Sequence, residues 1–266
     1  MATIWLDGEL VDDSTARLSP HDRGFTLADG VFETLRTEGT TPLWLADHVA
    51  RLRAGAALLG IPVPFDDGEL ERGTAALLAR AGYDQGALRI TLTRGPAAQR
   101  GLWPPGEPLR PTVLASVAPL ATRAPVRVVV ASSTRRNERS PLASIKTLNY
   151  GDNLLARREA MVRGADDALL LSTAGRVACA TVGNLFVRIG GRLRTPPLID
   201  GALPGLARAR LLTQTDADEV PLELEDIARV TAAFVSNSLG CTSIAELEGM
   251  RLDDLLGTID VSRLYG

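Results

Sequence analysis

Two different hydrophobic periods share this chain, and their combination restricts it to a mixed α/β architecture. From Leu45 to Leu59 the apolar residues Leu45, Val49, Leu52, Ala56 and Leu59 recur at helical spacing, and Gly60 ends the run. In Leu88-Arg89-Ile90-Thr91-Leu92-Thr93 the apolar residues alternate with period two, as on a strand with one buried face. A second helix is predicted over about Asp67 to Ala81, and strands over Thr112 to Val117 and the β-branched run Val126 to Ala131. Upstream of these, Thr3-Ile4-Trp5-Leu6 and Glu9-Leu10-Val11 flank Asp7-Gly8, a hairpin signal. Downstream, a helix over about Tyr150 to Arg163, strands near Ala168 to Leu171 and Leu185 to Ile189, a helix opening near Pro204 and a strand at Ala232 to Val235 complete the pattern. No internal repeat or low-complexity tract interrupts it.

A chain of 266 residues suits two packed lobes or one large α/β domain. The segment from Pro119 to Pro125 reads as a connector, so the expected division is a smaller α+β domain over 1–118, a connector over 119–125 and a larger domain over 126–266. Apolar residues make up 45% and charged residues 23%, and no apolar run is long enough to span a bilayer. The N-terminus lacks a basic region followed by an apolar one, so a cytoplasmic protein is the expectation. Cys179 and Cys241 are too few and too far apart for a disulfide framework or zinc site, and His21 and His48 add no ligand spacing, so no metal is expected. A net charge of -3, with arginines scattered among acids, argues against a nucleic-acid surface. It leaves room for an arginine pocket that takes a small anion.

The cations are almost all arginine, and the chain has one lysine, in Ser144-Ile145-Lys146-Thr147-Leu148-Asn149. Guanidinium serves wherever only charge is needed, yet it cannot attack a carbonyl carbon. An amine can, once burial and nearby cations lower its pKa. Lys146 is therefore either a chance surface survivor or the residue that forms a Schiff base.

Weaker signals lie elsewhere. Gly201-Ala202-Leu203-Pro204-Gly205-Leu206-Ala207-Arg208 sets Pro-Gly before a helix, which suits a phosphate held on the N–H groups of Leu206 and Ala207, although proline is also common at ordinary helix starts. Ser236-Asn237-Ser238 follows a strand, at a position where ligands often bind. Arg51, near His48 on the first predicted helix, could hold a phosphate or could simply be solvated.

Taken in order, Arg23-Gly24-Phe25, Asp29-Gly30-Val31-Phe32-Glu33, His48-Val49-Ala50-Arg51-Leu52, Ile145-Lys146-Thr147-Leu148-Asn149, Gly183-Asn184-Leu185-Phe186 and Leu203-Pro204-Gly205 resemble the class IV aminotransferases. These are the fold-type IV enzymes of pyridoxal 5'-phosphate (PLP), and they include branched-chain and D-amino-acid aminotransferases and 4-amino-4-deoxychorismate lyase. The resemblance implies a two-domain α/β fold with PLP in the cleft between domains, cytoplasmic and usually a homodimer. It implies Lys146 as the catalytic lysine that holds PLP through an imine. Arg51, Leu206, Ala207 and Ser238 would be phosphate contacts, with Asn184 and Asn237 also in the cofactor set, and Leu203 would pack on the ring. Phe32 and Arg100 would meet a small amino substrate bearing a carboxylate, Arg100 because its planar fork suits that group.

One position departs from the family pattern. Five residues before Asn184 the family carries a glutamate, whose carboxylate pairs with the pyridine nitrogen of PLP; here the residue is Cys179. A carboxylate keeps that nitrogen protonated and the ring a strong electron sink, which a neutral thiol does not do comparably. Either the reaction needs less help, another acid reaches the nitrogen, or PLP is bound with little turnover, and Cys179 as a small buried apolar residue is compatible with all three. Thr93 to Leu102 and Ser236 to Gly240 resemble segments of the lyase, whose product, 4-aminobenzoate, is aromatic, so that aromatisation helps drive the elimination. Lys146 to Tyr150 and Ala156 to Ala160 look equally like aminotransferases. Three outcomes are expected as alternatives: lyase-like elimination giving 4-aminobenzoate and pyruvate, transamination of branched-chain or D-amino acids, or PLP binding with little turnover.

Overall fold

The computed structural model of the protein describes residues 2–97, 101–103, 110–259 and 261–265. The chain divides into two compact units, Met1–Ala121 with Ile145–Asn149, and Thr122–Ser144 with Tyr150–Gly266.

In the first unit, Asp7 and Gly8 have φ of 49° and 99°, the paired positive values of a tight hairpin turn. They join strand β1 (Thr3–Leu6) to β2 (Glu9–Asp12) in antiparallel register. A short helix α1 (Arg23–Leu27), capped by the Asp22 carboxylate, precedes β3 (Gly30–Glu38) and β4 (Thr41–Pro42). Helices α2 (Leu45–Leu59) and α3 (Asp67–Ala81) follow, and both stop at glycines, Gly60 and Gly82, in the left-handed conformation that favours that residue. Strands β5 (Gln85–Thr93) and β6 (Thr112–Pro119) complete an antiparallel sheet of order β2-β1-β6-β5-β3-β4.

Helix α2 packs on β3, and α3 packs on β1 and β6. Leu70 and Leu77 from α3 and Leu35 and Leu88 from the sheet are fully buried, each worth about 1.5–3 kcal/mol relative to exposure. Gly73 lets α3 approach the sheet closely, since a Cβ there would lie 2.5 Å from the Trp5 ring.

The long strand β3 is hard to read from hydrophobic alternation. Its register against β5 puts Val31, Glu33, Leu35 and Thr37 on the face that also carries Leu92, Ile90 and Leu88. Two of those four residues are polar, yet Glu33 is 1% and Thr37 0% exposed.

The second unit opens with β7 (Val126–Val130), a 3-10 turn at Pro141–Ser144 and helix α4 (Gly151–Val162). Strands β8 (Asp167–Leu171), β9 (Val177–Ala180), β10 (Asn184–Ile189) and β11 (Arg192–Thr195) lead to helix α5 (Leu206–Gln214). Then come β12 (Asp218–Glu219), β13 (Ala232–Asn237), β14 (Gly240–Leu247), β15 (Met250–Arg251) and the short helix α6 (Ser262–Tyr265). The sheet order is β12-β11-β10-β13-β14-β7-β8-β9, with β15 paired to β14.

Strands β7 and β8 pair in parallel, and β8 is buried along its whole length, as the continuous apolar run Ala168 to Leu171 requires. Phe186 and Phe234 face each other across β10 and β13 with ring centroids 5.0 Å apart. Helix α4 covers β8, and α5 lies against β13. No helix among the described residues is long and apolar enough to cross a membrane, and no group of three or more His, Cys, Asp or Glu among them could hold a metal ion.

Candidate active site

Lys146 lies in the segment Ile145–Asn149, which belongs to the first unit although the chain on both sides of that segment belongs to the second. The segment is held on β3 by main-chain bonds: Phe32 N–H donates to the Lys146 carbonyl at 2.9 Å, and Leu148 N–H donates to the Gly30 carbonyl at 3.0 Å. Thr147 lies opposite Val31 in an antiparallel bridge. Gly30 leaves room for this edge, because a Cβ there would stand 2.8 Å from the Leu148 side chain. The Lys146 amine rests 4.2 Å from the centroid of the Phe32 ring. The Arg89 guanidinium lies 3.7 Å from the same centroid. Phe32, buried and flanked by two cations, therefore adjoins the amine. Arg89 had no place in the sequence reading, because nothing marks it among many arginines until β5 is paired with β3.

One residue further along β3, Glu33 gathers His48 and Arg51 from α2. Its Oε1 accepts from Arg51 Nε at 2.8 Å, and its Oε2 accepts from Arg51 Nη2 at 2.7 Å and pairs with His48 Nδ1 at 2.6 Å. Burial pushes the Glu33 carboxyl up, and the hydrogen bonds from Arg51 and His48 with their charges outweigh it, leaving the carboxyl below its ordinary value. Burial pushes His48 down, and the Arg51 and Lys146 charges act in the same direction, so the imidazole is neutral at neutral pH despite Glu33. Arg51, expected as a phosphate contact, is thus clamped on two sides to a buried carboxylate.

In the second unit the start of α5 is built around Asn184. Its Nδ2 donates to the Leu203 carbonyl at 2.9 Å, while its Oδ1 lies where a Cβ on Gly205 would come within 2.1 Å. Gly205 is the residue before the first turn, and no side chain caps the helix. The leading N–H groups at Leu206 and Ala207 carry the partial positive charge that attracts an anion. The strand β13 runs into a tight turn at Ser238 and Leu239. Asn237 braces this turn: its Oδ1 accepts from Arg123 Nη2 at 2.8 Å and from Leu239 N at 3.0 Å, and its Nδ2 donates to the Val182 carbonyl at 3.2 Å. Its side chain therefore serves the turn, and Arg123, absent from the sequence reading, holds it. On the same strand the Ser236 hydroxyl is buried with no hydrogen-bond partner among the described residues.

Cys179 lies in β9 opposite Leu170, 6% exposed, in a cluster with Ala131, Ala156, Leu170 and Ala202. Burial pushes its thiol above the ordinary value, with Arg136 the main opposing charge, so the sulfur is a neutral S–H. Arg100 lies outside the described residues.

These residues suit PLP. In the first unit an amine is fixed on a strand edge. In the second, an uncapped helix start is shaped by a glycine that admits Asn184, and a buried serine hydroxyl lies on β13, which pairs with the strand that carries Asn184. The chain belongs to the class IV aminotransferase family, whose model matches residues 30–247. It is accordingly an enzyme, and its cofactor is PLP.

Among its relatives, the aminodeoxychorismate lyase of Bacillus subtilis is 29% identical over 245 residues, covering 89% of this chain and 83% of the lyase. The D-alanine aminotransferase of Bacillus licheniformis is 28% identical over 210 residues, 79% of this chain and 73% of that enzyme. The branched-chain aminotransferase of Thermoproteus uzoniensis, solved with norvaline, superposes with a TM-score of 0.88 at 25% identity, covering 99% of this chain and 93% of its own. The two-domain fold-type IV architecture expected from the motifs is the one observed.

Proposed function

We propose that this enzyme catalyses an aminodeoxychorismate lyase-like elimination, giving 4-aminobenzoate and pyruvate. The observation that carries the reading is the buried neutral thiol of Cys179 at the position where the family has its glutamate. Bound PLP supplies the electron sink for a substrate carbanion. A thiol neither carries charge nor holds the pyridine nitrogen protonated, so this enzyme suits a reaction that draws driving force from its product. Forming an aromatic ring is such a reaction, whereas transamination leaves the carbanion dependent on the sink throughout.

In this reading Lys146 would hold the cofactor, and its amine would take the proton from the ring carbon bearing the amino group. The ring becomes aromatic as the bond from the adjacent ring carbon to the ether oxygen breaks, and the side chain leaves as enolpyruvate, which gains a proton at its methylene carbon to become pyruvate. Arg51, the N–H groups of Leu206 and Ala207, and Ser238 would hold the phosphate, Asn184 shapes the start of α5, and Leu203 would pack on the ring. Phe32 borders the amine, and Arg89, whose guanidinium shares that ring, takes a substrate carboxylate. The enzyme acts as a cytoplasmic homodimer.

A second reading, transamination of branched-chain or D-amino acids, is favoured by the named activities of the Thermoproteus and Bacillus licheniformis relatives. The two separate in one assay. PLP-loaded enzyme is given 4-amino-4-deoxychorismate, and separately D-alanine or L-leucine with 2-oxoglutarate. Aminobenzoate and pyruvate in equal amounts support the lyase; keto-acid-dependent amino-acid product with no aminobenzoate replaces it by the transaminase. Lys146→Ala is expected to lose activity in either case by at least about 1000-fold, a loss of roughly 4 kcal/mol of transition-state stabilisation.

A further inference from the structure

We propose that Glu33 and His48 are positioning residues that hold the Arg51 guanidinium in one orientation for the phosphate of PLP, an inference that rests on the reading of Lys146 as the PLP lysine. A carboxylate buried to 1% exposure is costly, and a sheet stabilised only by packing would do as well with an apolar residue there. Glu33 instead takes both Nε and Nη2 of Arg51, which fixes the plane of the guanidinium as well as its position. His48, one turn earlier on α2, pairs with the same carboxylate from its Nδ1 and is itself stacked on Trp44 at a centroid distance of 6.5 Å. Its Nε2 is buried without a hydrogen-bond partner among the described residues, a second cost carried by the same cluster.

The geometry links this clamp to the amine. Phe32 and Glu33 are neighbours on β3: the main chain of the first holds the Lys146 carbonyl, and the side chain of the second holds Arg51. Amine and guanidinium are therefore referenced to adjacent residues of one rigid strand. An arginine on a helix surface samples many rotamers, and ordering it beforehand lowers the entropy lost when an anion arrives. His48 is neutral, so Glu33 spends its charge on Arg51, and the cluster has no net negative charge to repel a phosphate.

The test compares PLP with pyridoxal, which has the aldehyde and ring but no phosphate. Both are titrated into wild type and Glu33→Gln, and the absorbance of the covalent adduct with Lys146 is followed. Loss of the clamp is expected to weaken PLP binding by about 10–100-fold, the worth of a hydrogen bond between charged groups, with pyridoxal changing less than about threefold. Equal weakening of both ligands, or of neither, overturns the positioning role. Wild type forming no adduct with either ligand overturns the PLP–Lys146 reading instead. Should Glu33→Gln not fold by circular dichroism, the same ratio read on His48→Asn decides, an unchanged preference for PLP counting against the proposal.

Discussion

At Cys179 the proposed chemistry turns on one side chain. Among small buried apolar neighbours it packs as an alanine would, and it contributes no charge. Replacing it by glutamate restores what the family carries there. We expect Cys179→Glu to raise the single-turnover rate with D-alanine or L-leucine by about tenfold or more, equivalent to at least about 1.4 kcal/mol. The PLP-free form should lose about 1–3 kcal/mol of stability by burying a carboxylate. Stopped-flow absorbance and urea unfolding measure the two effects. An unchanged amino-acid rate would show that the thiol does not limit the sink. Cys179 was legible in the sequence because its offset from Asn184 is local. The partners of Glu33 were not, because they come from α2 and meet β3 only on packing.

At the scale of elements, two glycines with similar crowding have different duties. In Gly205→Ala the new methyl group would meet Asn184 Oδ1 and displace the amide from the Leu203 carbonyl, distorting the start of α5. In Gly73→Ala it would meet the Trp5 ring and wedge α3 from β1. Each is expected to cost about 1–3 kcal/mol of stability. Only Gly205→Ala should also weaken PLP binding, read by absorbance titration under conditions where both variants are folded. Equal PLP affinity in the two would remove the α5 start from the cofactor site. Helices α2 and α3 were readable because each has an amphipathic stripe and a terminal glycine. Strand β3 was not, since Glu33 and Thr37 occupy its buried face and break the alternation that marks a strand.

For the whole molecule, acid should be the weak direction. His48 and Glu33 both have pKa values lowered on folding, so the unfolded chain binds more protons and stability rises with pH. The contribution of His48 is complete above its ordinary value of 6.5 and is lost as pH falls from there towards its folded value. That of Glu33 is complete above 4.5 and is lost as pH falls through its lower folded value. The urea midpoint is therefore expected to drop between about pH 7.5 and pH 5.5, and His48→Asn should flatten that part of the profile while leaving the steeper acid limb. A wild-type midpoint constant over that range would mean that the imidazole is not held neutral.

Residue order alone names the group able to do the proposed chemistry and the elements that are strongly periodic. The proposed imine needs an amine, the sequence has one lysine, Lys146, and the ordered motifs around it are local runs whose offsets survive in any fold. Folding decides the rest. It lays the five residues Ile145–Asn149 on β3 in a unit otherwise made of earlier sequence, seats Arg51 and His48 on a buried carboxylate, and brings Arg89 to the Phe32 ring. Spacing along a chain fixes which side chains share a face of one element. Which faces then meet is set by packing across elements far apart in sequence, and the clamp on Arg51 exists only there.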